Sequence, residues 1–231
     1  MNNYEGYLKG MEKSMQEKLF FLEYIDLNSY DLIIDFGCAS GDLIERLRAV
    51  SNTEILGIEC DSYMQNILTQ RNIQWKTNLN ELDDLKGKKV LIIFSSVLHE
   101  VADYFRDISK WLLQTKPTVV IRDMTPPIKR PLSKEEMQIS SFNKEAYEEV
   151  WGKIRSTWDL YHYLLKYTYI DNWDTEVQEN YFSVPWDWFF EHGIAEYRCD
   201  YILQYKKDKV FKDFNYVLTE PTHRQLITKI V

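Results

Sequence analysis

Asp35-Phe36-Gly37-Cys38-Ala39-Ser40-Gly41 joins an apolar run of β type, Leu32 to Ile34, to a charged amphipathic stretch that begins at Asp42. In an open α/β sheet such a junction lies beyond the carboxyl end of a strand, where small residues let the backbone approach a ligand and free N–H groups face it. Its spacing, D-x-G-x-x-x-G, departs from the G-x-G-x-x-G dinucleotide fingerprint, so a nicotinamide cofactor is a poor match. A second carboxylate, Glu59, ends the next apolar run 18 residues after Gly41. His99 and Glu100 follow the run Val90 to Phe94, and Asp123 ends the run that starts at Thr118. His99 is a candidate general base because imidazole titrates near neutrality; the competing role is to pack and cap the following helix. Glu100 and Asp123 are candidates to orient a substrate or to pair with Arg122. The His-Glu pair does not extend to the zinc motif H-E-x-x-H, because position 103 is Asp103.

The elements that must carry these residues are of two kinds. Leu32 to Ile34, Ile55 to Ile58, Val90 to Phe94 and Thr118 to Ile121 are short continuous apolar runs, as expected of parallel strands covered on both faces. Helical patterns separate them: Leu43, Leu47 and Val50 share a face after Asp42, and Val101, Tyr104, Phe105, Ile108, Trp111 and Leu112 recur at helical spacing after His99. Ser62 and Gln65 form a capping-box signature for the helix between them. From Glu196 to Tyr205 apolar and polar residues alternate with a period of two, which predicts an antiparallel strand, and His223 to Val231 reads as the last strand. The expected fold class is therefore α/β, a mainly parallel sheet finished by an antiparallel C-terminal strand pair.

Residues 1–29 read as an N-terminal helical cap, with Met11, Met15, Leu19 and Leu22 on one face. The prolines of Thr125 to Pro131 interrupt the α/β alternation. A second capping-box signature, Ser133 with Glu136, then opens a long helical region that is expected to run to about Trp173. Residues 124–182 are thus expected to be a helical, aromatic insertion on a single domain, roofing an acceptor site. Most of its rings, among them Trp151, Trp158 and Tyr161, are expected to pack.

The 231 residues are 45% hydrophobic and 28% charged, enough for a substantial core. The formal charge of −8 argues against a broad nucleic-acid footprint. Cys38, Cys60 and Cys199 are odd in number and lack C-x-x-C spacing, so neither a disulfide framework nor a metal cluster is indicated. No signal peptide or membrane-length apolar segment is present, and a cytoplasmic location is expected.

The D-x-G-x-x-x-G turn with Glu59 at the end of the second strand resembles the class I S-adenosylmethionine-dependent methyltransferases. The resemblance covers about residues 30 to 123 and implies a seven-stranded sheet in the order 3-2-1-4-5-7-6. It also implies roles position by position. Asp35 would hold the ammonium of the methionine moiety, and Gly37, Cys38, Ala39, Ser40 and Gly41 would lie against S-adenosyl-L-methionine. Glu59, with Cys60 beside it, would accept both ribose hydroxyls, and Asn78 would lie near the adenine. Ser95 and Ser96 would flank the transferable methyl. Ala39 departs from the family, which commonly has glycine there. Tyr7, Lys13 and Lys18 could close over the cofactor, although a docking helix is the preferred reading of that segment.

Methyl transfer by in-line displacement needs alignment and, for some acceptors, a base. Ser95-Ser96-Val97-Leu98 stands where amino-methylating DNA enzymes carry D-P-P-Y or N-P-P-Y, and no cysteine follows a proline, as a cytosine-C5 nucleophile would. Residues Met124 to Ala195 carry 7 Lys or Arg against 12 Asp or Glu, which favours a small neutral or cationic acceptor over a phosphate backbone. Two alternatives stay open: an RNA or nucleotide methyltransferase using Lys129 and Arg130, and a noncatalytic subunit that binds S-adenosylmethionine.

Overall fold

The computed structural model describes residues 15–82, 85–138, 143–167, 172–202 and 218–231. The apolar runs become parallel strands: β1 (Leu32–Phe36), β2 (Glu54–Ile58), β3 (Trp75–Lys76), β4 (Val90–Ser95) and β5 (Thr118–Met124). The antiparallel pair β6 (Gly193–Tyr201) and β7 (His223–Ile230) completes a seven-stranded sheet of order β3-β2-β1-β4-β5-β7-β6. Both the mixed architecture and the strand order are those expected from the sequence. Asp35 on β1 is level with Gly57 on β2 and Ile93 on β4, so the three central strands present their carboxyl ends at one edge. Leu203, Gln204 and Tyr205 of the alternating stretch lie outside the described residues.

Contacts divide the chain into two compact units. The first runs to Asp123 and includes Pro185–Arg198 and Gln225–Val231. One of its cores gathers Phe21, Ile33, Ile44, Leu47, Leu68 and Ile93, with Leu19 and Leu22 packed against it. Among its described N-terminal residues, helix α1 (Met15–Lys18) is followed by 3-10 turns at Phe20–Glu23 and Leu27–Ser29. Tyr7, Met11 and Lys13 lie outside the described residues.

Helix α2 (Asp42–Arg48) buries Leu43, Ile44 and Leu47 and puts acids in its first turn and arginines in its last, matching the helix dipole. The cap of α3 (Ser62–Gln70) differs from the expected Ser62–Gln65 box. Asp61 is the N-cap, accepting the Met64 N–H at 2.9 Å, while Gln65 Nε2 donates to the Glu59 carbonyl at 2.7 Å. A carboxylate one position earlier is as good an acceptor as the serine, and it wins because Gln65 is held elsewhere. Helix α4 (Phe105–Thr115) buries Phe105, Ile108, Trp111 and Leu112 at helical spacing.

The second unit comprises Met124–Val184 and Cys199–Arg224. Ser133 and Glu136 form the predicted capping box at the start of α5 (Lys134–Met137). The long helix expected beyond it is instead broken into α6 (Lys144–Trp151), α7 (Thr157–Tyr167) and α8 (Trp173–Glu176). Gly152 ends α6 with φ +81°, and the Asp159 carboxylate collects the amides of Arg155 and Ser156 to start α7. Aromatic periodicity runs through such a break because both segments turn their rings to one core. Tyr147, Tyr161, Tyr163, Trp173 and Tyr181 are buried, with Trp151, Trp158 and Tyr167 packed against them. His162 is wholly buried among them, its Nδ1 paired with the Tyr147 hydroxyl at 2.8 Å, and burial holds its pKa down at about 3. The insertion's aromatic content is therefore largely core. Helix α9 (Trp186–His192) belongs to the first unit, where Phe189 packs on Phe94 and Phe105. Among the described residues no helix is long and apolar enough to cross a membrane.

Gly41 caps the turn before α2 with φ +82°, and a Cβ there would lie 2.4 Å from Ile73 Cδ1 and 2.8 Å from Leu68 Cδ2. Gly41→Ala combines left-handed strain with overpacking and is expected to lower stability by roughly 2–4 kcal/mol in urea unfolding. A loss below ~0.5 kcal/mol would contradict this packing.

Candidate functional site

Past the end of β1 the chain hydrogen-bonds to β2: the N–H groups of Gly37 and Cys38 donate to the Ile58 carbonyl at 2.9 and 3.1 Å. Gly37 (φ +70°), Ala39 (φ +45°) and Gly41 all take left-handed conformations, so the backbone folds tightly. At Gly37 a Cβ would sit 2.5 Å from Val97 Cγ2, so only glycine lets the β1 and β4 turns approach this closely. Cys38 is buried with its Sγ over the bare Cα of Gly57, and burial pushes its thiol pKa up. Ser40 Oγ donates to Asp42 at 2.8 Å. Arg71 braces the turn from outside, donating to the Ser40 carbonyl, Asp42 and Glu45 at 2.6–2.7 Å.

Glu59 closes this edge. Its Oε2 accepts the Ala39 N–H and its Oε1 the Asp61 N–H, both at 2.8 Å, and the residue is only 8% exposed. An ionised carboxylate has about four acceptor positions, so two remain for hydroxyl donors such as those of a ribose. Ala39, the departure from the family pattern, supplies one of the two amides. Cys60 is exposed. Asn78 is exposed and used locally: its Oδ1 caps a 3-10 turn through the Asn80 N–H, and its Nδ2 donates to Glu81.

At the ends of β4 and β5 the residues converge further. Ser96 is left-handed (φ +58°), its N–H donates to the Arg122 carbonyl, and its Oγ accepts from Arg122 Nη1, both at 2.7 Å. The same guanidinium pairs with Glu17 at 2.6 Å, a link from α1 that no local sequence pattern announces. Ser95 Oγ is buried with no hydrogen-bond partner among the described residues. Asp123 is fully buried: Oδ2 accepts the N–H groups of Val97 and Leu98 at 3.1 and 2.8 Å, and Oδ1 lies 2.7 Å from His99 Nδ1. A carboxylate can only accept, so Nδ1 carries the hydrogen and Nε2 is left as the basic nitrogen. Glu100, half exposed, brings Oε1 to 3.8 Å from that nitrogen. The three candidate acid–base residues are thus brought together.

Charge at this edge is expensive. Asp35 is buried and its pKa is raised to about 7, mainly by burial and against the pull of Lys18. Lys18 is buried too, its pKa lowered to about 8 by burial and by Arg122. Asp35, Glu59 and the glycine turn fit a nucleoside that carries hydroxyls and a cationic amine.

Solved structures of similar shape bear on this geometry. Mycolic acid cyclopropane synthase CmaA1, solved with SAH and CTAB, aligns over 95% of this chain and 85% of its own, at a TM-score of 0.56 and 12% identity. A SAM-dependent methyltransferase from Archaeoglobus fulgidus aligns over 96% and 99%, at 0.53 and 14%. Geranyl diphosphate C-methyltransferase from Streptomyces coelicolor A3(2), in complex with S-adenosyl-L-homocysteine, aligns over 94% and 80%, at 0.53 and 10%. The fold is that of the class I S-adenosylmethionine-dependent methyltransferases. No protein-family model matches the sequence, and no curated protein does. Within this methyltransferase fold the glycine turn and Glu59 stand at the carboxyl ends of β1 and β2, the edge at which open α/β sheets bind ligands.

A carboxyl whose folded pKa is raised loses folding stability as pH climbs from its unfolded value near 3.8 to its folded value of about 7. Asp35→Asn removes that loss, and at pH 8 it should stabilise the ligand-free protein by roughly 1–3 kcal/mol, seen as a higher melting temperature. The gain should shrink toward pH 5, where Asp35 of the folded protein is already protonated. A variant that melts below the wild type at pH 8 would contradict the burial penalty.

Proposed function

We propose that the protein is an S-adenosylmethionine-dependent methyltransferase acting on a small or medium-sized acceptor. The observation that carries this reading is the Glu59 carboxylate, buried at the end of β2 and oriented by the Ala39 and Asp61 amides with acceptor positions to spare. Bound there, the cofactor would supply a methyl group activated by its sulfonium. Glu59 would hold the ribose, the glycine turn would lie against the nucleoside, and Asp35 would face the amine. Ser95 and Ser96, at the end of β4, would border the methyl.

His99 would act as the base. Its Nε2 would take the acceptor's proton, which an acceptor that gains a methyl group at oxygen, nitrogen or sulfur must lose. Asp123, held by two backbone amides, fixes the ring's tautomer and stabilises the imidazolium that results. This favours an acceptor with a weakly acidic O–H, N–H or S–H. The names of two similar structures, a geranyl diphosphate C-methyltransferase and a mycolic acid cyclopropane synthase, are consistent with non-polymeric acceptors. The basic patch weighed for RNA is weakened, because the Arg130 guanidinium takes both oxygens of Glu136 at 2.9 Å. A noncatalytic subunit would bind the cofactor without transferring its methyl.

Glu59→Ala should weaken S-adenosylhomocysteine binding about 10- to 100-fold by isothermal titration while the protein still unfolds cooperatively. Unchanged affinity removes the ribose assignment. Methyl-labelled cofactor incubated with fractionated metabolites, RNA and protein should label the metabolite fraction. On the acceptor so identified, His99→Gln should lower kcat about 10²- to 10⁴-fold with cofactor affinity unaltered. Intact turnover removes the base.

A further inference from the structure

The turn after β4 is held by its own backbone. The amides of Val97 and Leu98 donate to Asp123, and the Glu100 N–H donates to the Val97 carbonyl at 3.1 Å. Val97 Cγ2 fills the space that a Cβ of Gly37 would need, so this turn lies directly against the glycine turn after β1. His99 and Glu100 are therefore presented from a fixed place beside the proposed cofactor edge. The imidazole turns Nδ1 inward to the fully buried Asp123 and Nε2 outward to Glu100. The His99 side chain is 5% exposed and that of Glu100 is 52% exposed, so an acceptor reaches Nε2 from the side on which the Glu100 carboxylate stands.

Nε2 and Glu100 Oε1 are 3.8 Å apart, too far for a direct hydrogen bond. A donor atom placed about 2.8 Å from each closes a triangle with that gap, and it must bring two hydrogens, one for each acceptor. A hydroxyl or thiol has a single hydrogen. Once that hydrogen is given to the imidazole, the lone pairs of the oxygen or sulfur face a carboxylate. Its deprotonation would also build negative charge next to the Glu100 and Asp123 carboxylates, which oppose it. An ammonium has hydrogens for both acceptors and a charge that the carboxylates attract. It has no lone pair, so it cannot receive a methyl group until a base has taken a proton from it.

We infer that the acceptor is an amine bound as its ammonium ion, Glu100 accepting one N–H and His99 Nε2 taking a second hydrogen as a proton. This rests on the methyltransferase reading above and narrows its acceptor from O–H, N–H or S–H to an amine nitrogen. In the proton step one N–H bond breaks, the hydrogen joins Nε2, and the electron pair of that bond stays on nitrogen as a lone pair. The positive charge passes to the imidazole, where Asp123 stabilises it. The amine that remains is neutral, inverts readily and keeps an N–H on Glu100 while its lone pair turns toward the methyl. Glu100 thus selects the substrate, and His99 prepares it.

The test is incubation of the full chain with ¹³C-methyl-labelled S-adenosylmethionine and a fractionated metabolite extract, followed by NMR of the labelled product. The label should appear on an amine nitrogen, in a product retained by a cation exchanger at pH 7, with a methyl shift that moves as the amine titrates. With that amine, Glu100→Gln should raise KM about 5- to 30-fold, the range of a half-exposed charge-assisted contact. It should weaken amine binding to the S-adenosylhomocysteine complex by a similar factor in isothermal titration, with the affinity for S-adenosylhomocysteine itself unaltered. Glu100→Asp, which keeps the charge, should recover part of the loss. Label on oxygen, sulfur or carbon, or in a neutral or acidic product, overturns the amine and leaves the methyltransferase reading standing. Unchanged KM and amine affinity in a folded Glu100→Gln protein overturn the role of Glu100. Absence of label from every fraction overturns the methyltransferase reading, and this inference with it.

Discussion

A buried carboxylate that accepts one backbone N–H from each of two strand-end turns sets the geometry of this edge. The Glu59 side chain draws Ala39 and Asp61 toward a common point, one amide on each of its oxygens. Without it the Ala39 N–H would be orphaned in a buried place, a loss of about 1–3 kcal/mol, whereas the amide of the exposed Asp61 could turn to water. The same pull explains why Ala39 tolerates a left-handed conformation that alanine ordinarily avoids: the strain is offset by a charge-assisted hydrogen bond. The carboxylate that organises the turn thus keeps acceptor positions beyond the two its amides occupy.

Around it the site accepts unfavourable terms. Ser96 is left-handed, Ser95 leaves a hydroxyl buried, and Asp35 and Lys18 hold charge in a desolvated place. Strained or frustrated groups of this kind gather where function needs them, and the parallel sheet beneath them supplies the compensating burial. Asp123 shows the opposite condition. It is fully buried, yet its two oxygens receive the N–H groups of Val97 and Leu98 and the ring of His99, so it can hold an imidazole in a single orientation. The edge thus combines a hydrogen-bonded acid–base pair with two buried charges that attract each other.

The parallel strands were legible because each is covered on both faces and reads as an unbroken apolar run, and the glycine turn was legible because left-handed backbone demands glycine at Gly37 and Gly41. Glu59 was legible as a carboxylate at the end of the second apolar run, while its proposed role came only with the family resemblance. The breaks between α6, α7 and α8 were not, because rings facing one core keep a helical rhythm across a turn, and Gly152 is a small signal within it. Nor was the N-cap of α3, where Asp61 and Ser62 are chemically equivalent candidates until Gln65 is seen to be engaged. The pairing of Arg122 with Glu17 spans most of the first unit's sequence and depends on where α1 docks, which periodicity does not encode. For the same reason the sequence does not separate Lys18 from Tyr7 and Lys13 as a residue that could close over a cofactor. Only its burial beside Asp35 sets it apart.

The central claim is that the edge formed by β1, β2 and β4 is built to hold a nucleoside by its sugar, with Glu59 as the acceptor. A crystal structure of the protein grown with S-adenosylhomocysteine tests this most directly. The account predicts both ribose hydroxyls within hydrogen-bonding distance of the Glu59 carboxylate, with the Ala39 and Asp61 amides still donating to it. A nucleoside bound elsewhere, or a Glu59 carboxylate that keeps its two amides and touches no ligand, would contradict it.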